Sequence, residues 1–192
     1  MKPAEIADIF RQTGAFLEGH FILSSGLHSP NYMQCAKVLQ HPEHGERFAK
    51  ALAEKLAALK PTVVLAPALG GILVGYELAR ALKVRSIFAE RVDGQMSLRR
   101  GQELSKSDRV VLCEDVVTTG KSIKEVEALC AAAGAEVVAM AAIVDRSGGK
   151  WALSKPLTSL LAMELVTHDP ATCPLCASGS PAVKPGSRPT AA

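Results

Sequence analysis

Two adjacent carboxylates, Glu114 and Asp115, follow an apolar run in the second half of the chain. A turn of Thr118, Thr119 and Gly120 comes next and opens a predicted helix. Free N–H groups at a helix N-terminus bind a phosphate monoester, and threonine hydroxyls add further donors. The two acids would repel that phosphate, but they can accept hydrogen bonds from sugar hydroxyls. The segment therefore predicts a site for a ribose 5-phosphate.

Two other interpretations of this segment have to be weighed. Gly120-Lys121-Ser122 matches the end of a nucleotide triphosphatase loop, but that loop needs a second glycine where Asp115 stands, so it is excluded. An ordinary turn with surface acids is the other alternative. Paired acids directly after an apolar strand, with a T-T-G turn and a helix behind them, disfavour it.

The stretch from Val110 to Ile123 closely resembles the phosphoribosyl pyrophosphate signature of type I phosphoribosyltransferases. Other segments narrow the resemblance to orotate phosphoribosyltransferases, and it extends over nearly all of residues 19 to 188. Ala66–Gly71 looks like the family's pyrophosphate turn, and Phe88–Arg91 with Arg99–Gly101 looks like its mobile active-site loop. Val144–Gly149 looks like the orotate-carboxylate segment, and Cys173–Cys176 and Lys184–Arg188 look like C-terminal motifs of the family.

The resemblance implies roles for individual residues. Phosphoribosyl pyrophosphate would be bound by Glu114, Asp115, Val116, Val117, Thr118, Thr119, Gly120, Lys121, Ser122 and Arg91. The pyrophosphate would meet main-chain N–H groups of Leu69, Gly70 and Gly71, unless this is a simple turn between strand and helix. The catalytic residues would be Asp115, Arg99 and Arg100.

Orotate would be bound by Thr118 and Arg146. Arginine suits this role because its guanidinium holds a carboxylate in a bidentate fork. The alternative for Arg146 is a surface position in a glycine-rich turn. The hairpin Phe21–Met33 would wall the base pocket, with Tyr32 as a stacking partner or as a plain core residue.

The chain departs from the family pattern in two places. Ser24 stands where many members carry a lysine in the N-terminal hairpin. Many members also have catalytic lysines in the mobile loop, whereas this chain has no lysine between Arg91 and Glu103. Arg99 and Arg100 can neutralise a departing pyrophosphate with a different geometry, so the identity of the loop residue stays open. The loop's basic residues have a plainer alternative as a solvated charged surface.

The resemblance further implies substitution at C1 of the ribose through an oxocarbenium-like state. Mg²⁺ would be carried by the pyrophosphate and the ribose hydroxyls, with no side chain assigned as a metal ligand. The polar segment 91–107 would close over the site and exclude water. The family's loops reach into a neighbouring subunit, so we expect a homodimer.

Two further functions remain in view. The same fold could act on a purine base, because ring preference depends on a pocket that one sequence describes poorly. It could also sense phosphoribosyl pyrophosphate as a nucleic-acid-binding regulator. The net charge of +3 and the 18 residues before Gly19 disfavour the regulator, and we expect neither a nucleic-acid nor a membrane partner.

The candidate site residues must be positioned by the secondary structure around them. Short apolar runs alternate with helical patterns along the chain, which predicts an α/β fold with a mostly parallel sheet flanked by helices. The resemblance makes this the type I phosphoribosyltransferase fold with a small N-terminal hood. The expected strands are 63–66, 85–89, 109–113 and 137–144, and the expected helices are 4–17, 42–59, 72–82 and 123–130. We predict three parts: a hood at 1–40, a core at 41–170 and an extended tail at 171–192.

The composition indicates a globular protein of the cytoplasm: the chain is 48% hydrophobic and 21% charged, and its start carries acids rather than a signal peptide's apolar centre. The five cysteines are odd in number, which disfavours a disulfide framework. Cys173 and Cys176 form a single C-x-x-C pair. His168 lies nearby in the sequence, but a zinc site needs two more ligands, so metal binding is left open.

Overall fold

A computed structural model describes residues 1–23, 25–149 and 154–185 of the 192-residue chain. The helices are α1 (Pro3–Gln12), α2 (Cys35–Leu39), α3 (Pro42–Leu56), α4 (Gly70–Leu82), α5 (Lys121–Ala133) and α6 (Pro174–Ala177). The strands are β1 (Phe16–Ile22), β2 (His28–Met33), β3 (Val63–Pro67), β4 (Arg85–Val92), β5 (Gln95–Leu98), β6 (Arg109–Val117), β7 (Glu136–Asp145) and β8 (Leu157–Ala162).

Six strands form the central sheet in the order β5-β4-β3-β6-β7-β8, and β1 pairs with β2 in a separate hairpin. All neighbours in the central sheet are parallel except β4 and β5. The predicted α/β architecture is therefore confirmed. Parallel strands place their carboxyl ends at one edge of the sheet, and ligands of such folds bind along that edge.

Helices cover both faces of the sheet, and each strand divides its side chains between them. In β3, Val64 belongs to the core cluster that contains Phe48 and Leu52 of α3, whereas Val63 and Leu65 belong to the cluster on the opposite face. This alternation follows from the two-residue period of a strand. It explains why the parallel strands appear in the sequence as continuous apolar runs.

The helices end at residues that the helical conformation does not tolerate well. The first helix was expected to reach residue 17, but α1 stops at Gln12 because Gly14 adopts a left-handed φ of 63°. Phe16 consequently belongs to β1 instead of the helix. Helix α3 begins at Pro42 as predicted, although its last turn, Ala57–Leu59, is a 3-10 turn. None of the described helices has the length and apolar character needed to cross a lipid bilayer.

The polar segment 91–107 was expected to be a loop, and this was wrong for its first half. Strand β5 folds back on β4 in an antiparallel hairpin. Its turn consists of Asp93 and Gly94, with φ of 49° and 84°. An Asp-Gly pair with positive φ at both positions is a favoured two-residue hairpin turn. Only residues 99–108 connect β5 to β6 without a regular element.

The C-terminal segment lies against the N-terminal hairpin. Val183 exchanges two backbone hydrogen bonds with β1, of 2.9 Å to Ile22 and 2.8 Å to His20. These two bonds anchor the predicted extended tail at Val183. Residues 186–188 of the C-terminal motif and Ser24 fall outside the described part of the chain. Helix α1 shares its core cluster with α3. The division at residues 40 and 170 stays a prediction.

Candidate active site

The paired acids lie at the carboxyl end of β6, in the middle of the central sheet. The sequence had suggested that Glu114 and Asp115 follow this strand. The strand instead continues to Val117, so both acids lie within it. Burial and the neighbouring charge of Asp115 raise the pKa of Glu114 to about 8, although a hydrogen bond with Ser122 opposes this. Burial also raises the pKa of Asp115. Two desolvated carboxylates side by side favour a ligand that brings hydrogen-bond donors or positive charge.

The predicted pyrophosphate turn touches Asp115. A Cβ atom on Gly70 would lie 2.7 Å from Oδ1 and 2.8 Å from Oδ2 of that carboxylate. Gly70 is therefore required because the turn and the acid approach each other so closely. The preceding residue, Leu69, is joined to Ala68 by a cis peptide bond, and Gly70 begins α4. The structure thus brings the turn and the acids together.

The T-T-G turn joins β6 to α5. Gly120 precedes the helix with a left-handed φ of 70°, and its carbonyl accepts a hydrogen bond of 3.0 Å from Lys124 N. Thr118 and Thr119 are exposed at this helix N-terminus, beside the acids. Main-chain N–H groups of the first helical turn have no partner within a helix, so this end suits a phosphate.

Arg146 follows β7 and lies next to the same turn, since its backbone N–H donates to Val117 O over 2.8 Å. Its Nε is buried and has no hydrogen-bond partner among the described residues. Burial lowers the pKa of this guanidinium, and the nearby Tyr32 and Cys35 oppose that shift. A partly buried guanidinium whose Nε lacks a partner fits an anionic ligand such as a carboxylate.

Tyr32 belongs to the hairpin and faces the same region. Burial raises the pKa of Tyr32; the charge of Arg146 lowers it and that of Asp115 raises it. Tyr32 is therefore close enough to both Arg146 and Asp115 for their charges to act on it. The Tyr32 ring also packs on Phe21, with centroids 5.7 Å apart. The hairpin thus supplies an aromatic wall beside the arginine and the acids.

The predicted basic residues of segment 91–107 are not gathered around the acids. Arg91 pairs with Glu125 of α5. Arg100 makes a bidentate pair with Glu90, with two contacts of 3.1 Å. Arg99 is exposed and forms no side-chain hydrogen bond or ion pair within the described residues. The two glutamates are partners that the sequence interpretation missed.

A separate cavity of about 490 Å³ lies at the opposite edge of the sheet, near the amino ends of β3 and β4. Lys50, Lys60 and Lys83 contribute to its lining, but none of the predicted site residues does. The chemistry predicted from the sequence is therefore concentrated at the carboxyl edge.

Comparisons with known proteins agree with this geometry. The family model described as a phosphoribosyl transferase domain matches residues 35–171. The orotate phosphoribosyltransferase of Heliobacterium modesticaldum is 52% identical over 190 residues, which cover 98% of this chain and 100% of that protein. That of Caldicellulosiruptor saccharolyticus is 52% identical over 94% of each chain.

Solved structures are similar in fold. The crystal structure of orotate phosphoribosyltransferase from Aeropyrum pernix superposes with a TM-score of 0.70 at 25% identity, covering 82% of this chain and 93% of that one. An adenine phosphoribosyltransferase from Trypanosoma brucei has a TM-score of 0.61 at 20% identity, over 80% of this chain and 79% of its own, which shows a shared fold alone. With half its residues identical to curated relatives over nearly its full length, the chain belongs to the orotate phosphoribosyltransferase family of type I phosphoribosyltransferases.

Proposed function

We propose that this protein transfers the ribose 5-phosphate group of phosphoribosyl pyrophosphate to orotate. The products are orotidine 5′-phosphate and pyrophosphate, and the reaction serves de novo pyrimidine synthesis. The observation that carries the proposal is the position of Arg146, a partly buried guanidinium whose Nε lacks a described partner, at the same sheet edge as the two desolvated acids of β6. One arrangement can thereby recognise both a ribose and a carboxylated base.

Each part of the donor substrate has a matching group at this edge. The N-terminus of α5 offers N–H donors to the 5-phosphate. Glu114 and Asp115 accept hydrogen bonds from the ribose hydroxyls. These bonds replace the water that burial removes from the two carboxylates, and that burial is what raises their pKa values. The turn at Leu69–Gly71 offers main-chain N–H groups to the pyrophosphate, and the contact between Gly70 and Asp115 keeps C1 of the ribose next to it.

The acceptor is oriented by Arg146, which binds the orotate carboxylate through its guanidinium fork, and by Tyr32, which stacks on the flat ring. Held in this way, a ring nitrogen of orotate forms a bond to C1 as the C1–oxygen bond to pyrophosphate breaks. The bonding electrons leave with the pyrophosphate, and the proton of the ring nitrogen is released to solvent. Positive charge develops on the ribose in the transition state, and the carboxylates of β6 stabilise it electrostatically. Arg99 and Arg100 neutralise the departing pyrophosphate.

Mg²⁺ is the cofactor that we propose. Carboxylate oxygens are ligand atoms that Mg²⁺ prefers, and the raised pKa values of Glu114 and Asp115 indicate a need for positive charge, so these residues fit the ion. They would hold it indirectly, through the ribose hydroxyls. When bound with the substrate, Mg²⁺ neutralises negative charge on the pyrophosphate.

We also propose a homodimer. Leu69, Leu73 and Tyr76 are exposed by 83%, 53% and 61%, and they recur at helical spacing along one face of α4. Exposed apolar side chains in such a row favour a protein interface. The row starts in the pyrophosphate turn itself, so a partner seated there would come close to the active site.

We place the activity in the cytoplasm. All five cysteines are free thiols, and four of them are buried. Reduced cysteines are typical of proteins in a reducing compartment.

The test of the function is a comparison of bases. Purified protein is assayed with phosphoribosyl pyrophosphate, Mg²⁺ and one base at a time: orotate, adenine, hypoxanthine or xanthine. We expect turnover with orotate and at least a hundredfold lower kcat/KM with each purine, because only orotate brings a carboxylate to Arg146. Turnover of a purine at a comparable rate would contradict the proposal.

A further inference from the structure

Two histidines and two cysteines from opposite ends of the chain meet beside the N-terminal hairpin. His20 and His28 come from β1 and β2, whereas Cys173 directly precedes α6 and Cys176 lies within it. Their ligand atoms all lie within 4.8 Å of one another. Three of the four residues are buried, and Cys176 is exposed. None of them has a role in the reaction proposed above.

The spacing of the four atoms matches a tetrahedral metal site. His20 Nε2 lies 2.8 Å from His28 Nδ1, 3.6 Å from Cys173 Sγ and 3.8 Å from Cys176 Sγ. The distance from Cys176 Sγ to His28 Nδ1 is 3.3 Å. Ligands around a tetrahedral zinc ion lie about 3.3–3.8 Å apart, given Zn–N and Zn–S bonds of about 2.0 and 2.3 Å. Small adjustments of the imidazoles would centre an ion between them.

The protonation of His20 also suits a metal ligand. Its Nδ1 lies 2.8 Å from the carbonyl oxygen of Ser180. A carbonyl can only accept a hydrogen bond, so Nδ1 must carry the proton, and Nε2 directs its lone pair into the cluster. A backbone carbonyl that fixes the free nitrogen in this way is the usual support of a metal-bound histidine.

Local backbone features bring the four side chains together. A bulge in β1 between Glu18 and Phe21 breaks the alternation of the strand, so that His20 and Phe21 are both buried. Pro174 starts α6 between the two cysteines, and Ala177 N donates to Cys173 O over 3.1 Å. The C-x-x-C turn therefore presents both thiols in the same direction.

We propose that His20, His28, Cys173 and Cys176 bind one zinc ion that fastens the C-terminal segment to the N-terminal hairpin. Four protein ligands complete the coordination of the ion and leave no position for a substrate, so the role is structural. Exposed Cys176 gives the ion a path from solvent. The inference is independent of the proposed function, because none of the four ligands is assigned a contact with a substrate.

The first measurement is the metal content of the full chain, purified without chelators after expression with added zinc. We expect about one zinc per chain. Cys176→Ser and His28→Gln should each lose most of it. Cys130→Ala and His168→Gln are matched controls. The first removes a buried thiol outside the cluster and the second removes the histidine nearest to the two cysteines in the sequence, and both variants should keep the ion. Zinc retained by the Cys173→Ser/Cys176→Ser double variant would overturn the proposal.

The second measurement does not depend on variants that fold. A strong chelator is used to strip the wild-type protein, and Zn²⁺ or Co²⁺ alone is then added back. Zinc at about 1,000 times its Kd should raise Tm by about 10 °C. Co²⁺ should give the ligand-field spectrum of a tetrahedral site with thiolate charge transfer. A protein that takes up no stoichiometric ion, or that lacks two titratable thiols because Cys173 and Cys176 form a disulfide, would contradict the assignment.

Discussion

The carboxyl end of β6 carries the acidic residues assigned to the active site, and the segment 91–107 carries the basic ones. The two groups differ in whether an ion-pair partner compensates their charge. Burial raises the pKa values of Glu114 and Asp115, and the charge of Asp115 raises that of Glu114 further. Arg91 and Arg100 instead rest in exposed ion pairs with Glu125 and Glu90. The acids are already arranged for a ligand, whereas the arginines have to leave their partners before they can act. Exposed pairs of this kind contribute little stability, so that exchange costs little.

The strongest test of the preorganised side is Asp115→Asn. We expect kcat/KM to fall by about 10²–10³-fold, because a charge-assisted hydrogen bond to the ribose and the stabilisation of the ribosyl cation are both lost. Circular dichroism and Tm should remain close to wild type or improve. Asp8→Asn removes an exposed charge on α1 and should leave the activity unchanged. Retention of most of the activity by Asp115→Asn would remove Asp115 from the mechanism.

Arg146→Ala extends the test to the acceptor. The KM for orotate should rise by about 10–100-fold, while the KM for phosphoribosyl pyrophosphate stays within about twofold, since the guanidinium serves only the carboxylate. Separate saturation curves for the two substrates measure this difference. Arg146→Lys keeps the charge without the fork, so it should recover only part of the loss. Equal rises in both KM values would contradict the role.

The arginine side is tested by mixing subunits. One protein carries Arg99→Ala and Arg100→Ala, and the other carries Asp115→Asn; each is expected to be nearly inactive alone. If loops act across a dimer, a mixed dimer has one site with both defects and one with neither. A one-to-one mixture should then recover about a quarter of wild-type activity.

Subunit exchange has to be demonstrated separately, for example with differently tagged chains. A mixture that stays inactive despite exchange would place the loop over its own subunit's site. A monomer in sedimentation would exclude the dimer. Leu73→Glu, in the exposed apolar row of α4, should convert a dimer to a monomer if that row is the interface.

The same contrast explains what could be predicted from the sequence. The sugar-phosphate segment is contiguous, so its spacing alone was enough to propose Glu114, Asp115 and the T-T-G turn as a site. The parallel strands were also recognisable, because burial on both faces makes them continuous apolar runs. Strand β5 was missed because it is short and polar; the Asp93-Gly94 pair was the available signal.

Contacts between distant residues could not be predicted in this way. Cys173 was expected to need further ligands, and His168 was the nearest histidine in the sequence. The structure uses His168 only through its backbone, in a bridge with His28, and brings His20 and His28 to the thiols. More than 140 residues separate His28 from Cys173, and no local pattern reports such a meeting. The approach of Gly70 to Asp115 is of the same kind.

The smallest expected effect is on stability, in Glu114→Gln. In the folded protein the pKa of Glu114 is about 8, above its usual 4.5. The folded state therefore holds a proton that the unfolded chain has released, and stability falls as the pH rises between these two values. Glutamine does not titrate, so the variant should be more stable than wild type by about 1–3 kcal/mol above pH 8, or about 3–8 °C in Tm.

Thermal melts of both proteins from pH 5.5 to 9 measure this difference, which should widen as the pH rises. Glu54→Gln, an exposed carboxylate on α3, is the control and should run parallel to wild type at every pH. Adding phosphoribosyl pyrophosphate with Mg²⁺ should reverse the order, because the substrate stabilises only the protein whose acid can bind the ribose. Parallel melting curves for Glu114→Gln and wild type across the range would mean that Glu114 is already ionised, and that the acids of β6 are no more strained than the arginines opposite them.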